Sequence, residues 1–239
     1  MRLVYLDKII KKLWYYIKFC ILIFFSSSIF FIVLYKYLPV KYTPLMLLRS
    51  IENFQDSAFQ THQIWKSIND FSPYIVKSAI ASEDIRFFIH NGIDWKSVKI
   101  AKNEYRYNKR LRGASTISQQ TAKNVFLLPS GNWFRKAIEV YFTYGIELFW
   151  GKQRILEVYL NVIEMGPGIY GAEAAAQTYF HKTASQLTRR ESSLIIACLP
   201  SPLQRNPSNP TLKVQKRAEA IERLTILLPF PDGIIYTEK

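Results

Sequence analysis

The stretch SPYIVKSAIASEDIRFFIHNG, residues 72–92, sets the reading of this chain. Ser72 ahead of Pro73 is a helix start, because a serine hydroxyl can accept from a first-turn N–H and proline's fixed φ suits the first helical position. Ile75, Val76, Ala79 and Ile80 follow on one face of a 3.6-residue period. The pattern runs out at Glu83, so a carboxylate stands at the C-terminal end of an amphipathic helix. With Phe87 and Phe88 close in sequence, that carboxylate can be partly desolvated and its pKa raised towards the range useful to a general base. Asp84 points about 100° away on a helix and is no facing partner for Glu83. Pairing with Arg86, or ordering the turn, is its expected role. His90 is one of three histidines, none at metal-ligand spacing, and is expected to hold a hydrogen bond after the turn.

Outward from this block, helical patterns are expected at Leu45–Leu48, Ser115–Asn124, Trp133–Trp150, Lys152–Glu164, Gly171–Phe180, Thr188–Cys198 and Lys213–Leu227. Within the fourth, Ile155, Leu156, Tyr159, Leu160 and Ile163 form a buried stripe. Thr188-Arg189-Arg190-Glu191 before an apolar run is a capping-box pattern that makes Glu191 structural. Strand-like alternation is scarce and Leu199–Thr211 reads as irregular. The fold class is therefore mainly α.

Phe19–Tyr35, FCILIFFSSSIFFIVLY, carries no charge, and Leu13–Ile17 extends it. About twenty such residues span a hydrocarbon core, and Lys18 can snorkel to the interface. No cleavage site of small residues follows, so the run reads as an anchor and not a signal peptide. Basic residues are denser before the span (Arg2, Lys8, Lys11, Lys12, Lys18) than after it (Lys36, Lys41), which puts the N-terminus in the cytoplasm. The expected organisation is a cytoplasmic N-terminus at 1–12, a transmembrane anchor at 13–38 and an extracytoplasmic domain at 39–239. A net charge of +14 calls for an anionic partner. The expected location argues against nucleic acid and leaves a membrane surface or a phosphorylated substrate. Cys20 falls in the span and Cys198 in an apolar run, so no disulfide is expected within the domain.

A second polar block, Gly113–Asn124 (GASTISQQTAKN), places small residues before a helix whose free N–H groups could receive an anion, with Ser115 as a cap. Thr116, Gln120 and Lys123 share a face, with Gln119 and Asn124 beside it. Taken alone, these could be a solvated helix face or a surface that reads sugar and phosphate. In RKAIE, residues 135–139, two cations open a helix against its macrodipole, and a cation before Glu is the poorer order for an ion pair. An anion such as a pyrophosphate, neutralised by Lys123, Arg135 and Lys136, would compensate; an exposed salt-bridged helix is the alternative. Between the blocks, Lys96, Lys99, Lys102, Arg106, Lys109, Arg110 and Arg112 face one acid, Glu104, with Trp95, Tyr105 and Tyr107 interleaved. Beside a membrane this points to lipid head groups or a polyanionic lipid-linked chain. The lack of an apolar stripe implies mobility.

EDIRFFIHNG, GASTISQQTAKN, RKAIE, KQRILEVYLNVIEMG and RRESSLIIACLPSP, in that order between Glu83 and Pro202, resemble the peptidoglycan glycosyltransferases, and GIYGAEAAAQTYF looks like the same family. The single anchor and single domain resemble its monofunctional biosynthetic branch; no Ser-x-x-Lys or Lys-Thr-Gly supports an attached transpeptidase. The resemblance implies a lysozyme-like helical domain that polymerises lipid II by inverting transfer, making β-1,4 bonds and releasing undecaprenyl pyrophosphate. It implies Glu83 as the base, Glu139 as a second essential carboxylate, and Ser115, Thr116, Gln119, Gln120, Lys123, Asn124, Arg135 and Lys136 as substrate-binding residues. Mg²⁺ or another divalent cation is implied near Glu139, with no organic cofactor. The implied partners are lipid II, the lipid-linked strand, the bacterial inner membrane and other cell-wall synthesis or division proteins. Ser192 and Ser193 depart from the small apolar residues usual after Glu191, which bears on packing. A lysozyme-like hydrolase or lytic transglycosylase is the nearest enzymatic alternative. A membrane scaffold recruiting partners through its basic surface is the non-enzymatic one.

Overall fold

The computed structural model describes residues 2–108, 115–129 and 131–229, which fall into two units, Met1–Leu38 and Pro39–Lys239. The first unit is one helix, α1 (Arg2–Tyr37). Its segment Asp7–Tyr37 is long and apolar enough to cross a membrane. Trp14, Phe19, Leu22 and Phe30 expose apolar surface of the kind a hydrocarbon phase covers. Ser27 and Ser28 donate to the carbonyls of Phe24 and Phe25, so their hydroxyls are satisfied inside the helix.

The second unit is helical apart from a small sheet. Its elements are α2 (Pro44–Glu52), β1 (His62–Gln63), α3 (Pro73–Glu83), α4 (Trp95–Asn108), α5 (Ile117–Phe126), α6 (Trp133–Phe149), α7 (Gly151–Val162), β2 (Glu164–Gly166), β3 (Ile169–Tyr170), α8 (Ala172–Phe180), α9 (Arg189–Cys198) and α10 (Leu212–Leu227). β3 lies between a parallel β1 and an antiparallel β2. α5 packs on α6 and α7, while α9 packs on both α3 and α10. Ile155, Leu156, Tyr159 and Leu160 of α7 are fully buried, each such side chain contributing about 1.5–3 kcal/mol. Phe126 of α5 stacks on Phe142 of α6 at 4.4 Å between ring centroids, locking the two helices that carry most of the polar site.

Two helices differ from the sequence expectation. α7 ends at Val162, not at Glu164, because Ile163 turns extended and Glu164 starts the antiparallel pairing with Tyr170. The basic stretch after Asp94 is helical despite lacking an apolar stripe. Asp94 caps it, accepting from the N–H groups of Lys96 and Ser97 and from the Ser97 hydroxyl. Lys109, Arg110 and Arg112 lie outside the described residues, as do Gly113 and Ala114.

Candidate active site

α3 delivers Glu83 as its last residue, its N-terminus capped by the Ser72 hydroxyl as the sequence suggests. The carboxylate is not left in an apolar niche. Its Oε2 accepts from Gln120 Nε2 at 3.1 Å, and its Oε1 from the Ser82 hydroxyl at 2.8 Å. Arg217 Nη2 of α10 lies 3.4 Å from the same Oε1 and 3.0 Å from the Ser82 hydroxyl oxygen. Neighbouring Phe87 is buried, with Lys152 Nζ 4.6 Å from its ring centroid, whereas Phe88 is exposed. The expectation of a greasy flank for Glu83 gives way to one of donors.

Asp84 turns inward, away from Glu83. Both its oxygens meet His90 Nε2, at 3.0 and 2.9 Å, and its Oδ2 accepts from the Ile117 N–H at 3.1 Å. It therefore ties the end of α3 to the start of α5 and orders the turn between them, the second of its two expected roles, while Arg86 pairs with Asp94 at 3.1 Å. His90 takes the expected structural part. Gly92 closes the turn at φ 91°, and a Cβ there would stand 2.9 Å from Thr143 Cγ2. Only glycine fits, and its carbonyl accepts the Thr116 hydroxyl.

The cap of α5 is Thr116 and not Ser115, which is exposed. Thr116 Oγ1 accepts from the Gln119 N–H, while Gln119 Oε1 accepts from the Thr116 N–H, each at 3.1 Å. With the Ile117 N–H on Asp84, three N–H groups of this buried helix start are held by protein acceptors, which leaves little of it for an anion. Thr116 and Gln119 build the platform; Gln120 and Lys123, one turn apart, use it. Asn124 holds its Nδ2 on the Gln120 carbonyl at 2.9 Å.

On α6, Asn132 caps the helix and positions the Arg135 backbone. Arg135 Nη1 lies 2.9 Å from Glu139 Oε2, and Lys136 Nζ bonds Oε1. The anion that these two cations require is Glu139 itself, only 3% exposed. Lys123 is pushed below its ordinary pKa by burial, and Glu139 opposes that while Arg135 and Lys136 reinforce it. Three cations about one carboxylate leave a surplus of positive charge. An open cleft of about 320 Å³ joins Lys123, Asn124 and Arg135 to Leu45 and Arg49 of α2, Leu127, Pro129 and Glu164.

Sequence reasoning missed Arg217, Arg49 and Glu164. Arg217 sits one flank away from the buried Val214, Ala218 and Ile221 stripe of α10, the only local signal it offers. Arg49 lies 3.3 Å from Glu164 Oε1 and 2.8 Å from Glu52 Oε2, contacts that periodicity does not encode. The Tyr159 phenol, fully buried, is held protonated well above its ordinary pKa by burial and then by the charges of Glu83 and Asp84. Among the described residues no three His, Cys, Asp or Glu converge to hold a metal, and both oxygens of Glu139 are engaged by cations. To hold the divalent cation implied near it, Glu139 would give up one of these two cations and share the ion with the substrate's phosphates.

The profile of the family described as Transglycosylase matches residues 49–225. Among curated proteins, the chain is 48% identical to a biosynthetic peptidoglycan transglycosylase of Bacteroides thetaiotaomicron over 93% of this chain and 90% of that protein. It is 47% identical to one of Bdellovibrio bacteriovorus over 82% and 80% of the two chains, and 43% identical to one of Caulobacter vibrioides over 85% and 87%. A match that runs from α2 to α10 includes every element that builds the site. The chain is an enzyme that belongs to the transglycosylase family.

Proposed function

We propose that this enzyme polymerises lipid II into peptidoglycan strands, with Glu83 as the base. The acceptor's sugar 4-hydroxyl gives its proton to Glu83 as its oxygen bonds the donor's anomeric carbon. The bond from that carbon to the pyrophosphate breaks on the opposite face, with its electron pair leaving on undecaprenyl pyrophosphate. The product is a β-1,4 bond with inverted configuration. Gln120, Ser82 and Arg217 fix the carboxylate so that the proton is taken in one geometry. Lys123, Arg135 and Lys136 meet the charge growing on the departing phosphate, and Glu139 keeps those cations in place.

The observation that carries this reading is the spacing along α5. Gln120 touches Glu83 and Lys123 faces the Glu139 cluster, and three residues of helix separate them by roughly 4.5 Å. A base and a phosphate clamp carried by successive turns of one helix suit transfer from a pyrophosphate-linked donor. A hydrolase of internal glycosidic bonds would have no use for the clamp. The apolar rim at Leu45, Leu127 and Pro129 suits a leaving group that continues into a lipid. In this reading residues 1–12 are cytoplasmic, 13–38 cross the bacterial inner membrane and 39–239 work outside it, where other cell-wall synthesis proteins could meet the enzyme. Detergent-purified protein incubated with labelled lipid II tests it: lengthening strands are expected. Cleavage of preformed glycan without polymer would establish the hydrolase instead.

A further inference from the structure

α4 projects a cationic face that the rest of the domain does not use. Helical geometry puts Lys96, Lys99, Lys102 and Arg106, with Trp95, within one arc of about 120°. Ser97, Ala101 and Glu104 lie on the other side. Burial follows the same division: Ser97, Val98, Ala101 and Glu104 are half-buried, the four cations are exposed and Trp95 is 66% exposed. None of the described side chains of α4 is buried, and among the described residues no ion pair takes any of the four cations. A soluble surface helix gains its stability from a buried stripe. Here the Asp94 cap and a half-buried flank hold it.

We propose that the outer face of α4 lies on anionic lipid head groups. Four like charges on one arc with a single acid turned the other way suit a polyanionic sheet better than a single phosphate. Trp95, beside the cations, has the amphipathic ring that favours the membrane interface. Each cation near an anionic leaflet contributes about a fivefold gain in partition. The contact would also steady Asp94 and its partner Arg86, three residues from Glu83. The inference rests on the anchor holding the domain at a bilayer, and goes beyond it by naming the face and the lipid charge.

The test reconstitutes the full chain in nanodiscs of phosphatidylcholine, with or without phosphatidylglycerol, and follows amide hydrogen exchange over residues 95–106. At least tenfold slower exchange is expected in the anionic discs, reversed by high salt and absent in the variant K96Q/K99Q/K102Q/R106Q. Unchanged exchange of α7 confirms that the variant is folded. Equal exchange of α4 in both discs, or slowing that persists in the variant, overturns the proposal. Slowing in neutral discs only when lipid II is added overturns it too, by assigning the face to the substrate. Failure of the chain to enter discs of either kind would overturn the anchor, and the α4 contact with it.

Discussion

Replacing Glu139 by Gln keeps the shape of the side chain and removes the charge that Arg135 and Lys136 share. The carboxylate is buried, with one guanidinium nitrogen at 2.9 Å and the Lys136 ammonium on its other oxygen. Breaking a fully buried pair costs about 3–5 kcal/mol. Two features reduce that here. Gln retains an acceptor for one cation, and the Lys136 side chain, 46% exposed, can turn to water, where screening weakens the pair. A loss of about 1–2 kcal/mol remains, lowering Tm by roughly 2–8 °C for a domain of this size. Set against a stability of about 5–15 kcal/mol, this leaves nearly every molecule folded at 25 °C. Turnover should fall much further, by about 10- to 100-fold, because cations displaced by an ångström no longer meet the leaving pyrophosphate. Lipid II polymerisation and thermal unfolding on one preparation measure both quantities. Activity that falls only in proportion to the unfolded fraction would make Glu139 a structural residue.

Lys123 gives a pH signature with two opposite limbs. Its folded pKa lies below the ordinary 10.5 because of burial. Turnover should therefore decline as pH rises through that lowered value and the ammonium loses its charge. Stability should rise between the lowered value and 10.5, where the unfolded chain binds the extra proton. Lys123→Met should abolish the stability gain while reducing turnover at every pH, as pH-dependent unfolding and rate profiles would show. Arg217→Met should leave Tm nearly unchanged, since a half-exposed pair is worth about 0–1 kcal/mol, yet lower turnover roughly tenfold, with partial recovery in Arg217→Lys. Full activity in the Met variant would remove Arg217 from the site. Thr116→Val should destabilise the fold by about 1 kcal/mol, read by denaturant midpoint, through loss of the α5 cap.

Local grammar made much of this legible. Ser72-Pro73, the Thr188–Glu191 capping box and the α7 stripe all act within a few residues, and the structure follows each of them. The family motifs likewise marked the blocks that meet around α5. What sequence periodicity lacked was the partner across space. Arg217 reaches Glu83 from 134 positions away, and Glu164 meets Arg49 only because the chain turns extended after Ile163. The α5 start shows the same limit. Asp84, separated from Ile117 by 33 positions, fills the N–H that the local sequence left open. In RKAIE the two cations pair with the Glu of the same motif, the salt-bridged alternative, but the carboxylate they hold is buried and not exposed.

The most direct measurement is strand synthesis from labelled lipid II by Glu83→Gln beside the wild-type enzyme, with unfolding curves for both. Gln keeps the contact with Gln120 and the shape of the site but cannot take a proton, so strands should disappear, a loss of about 10²-fold or more in rate with Tm nearly unchanged. Strands made by the variant at close to the wild-type rate would mean that the proton goes elsewhere and that Glu83 is not the base.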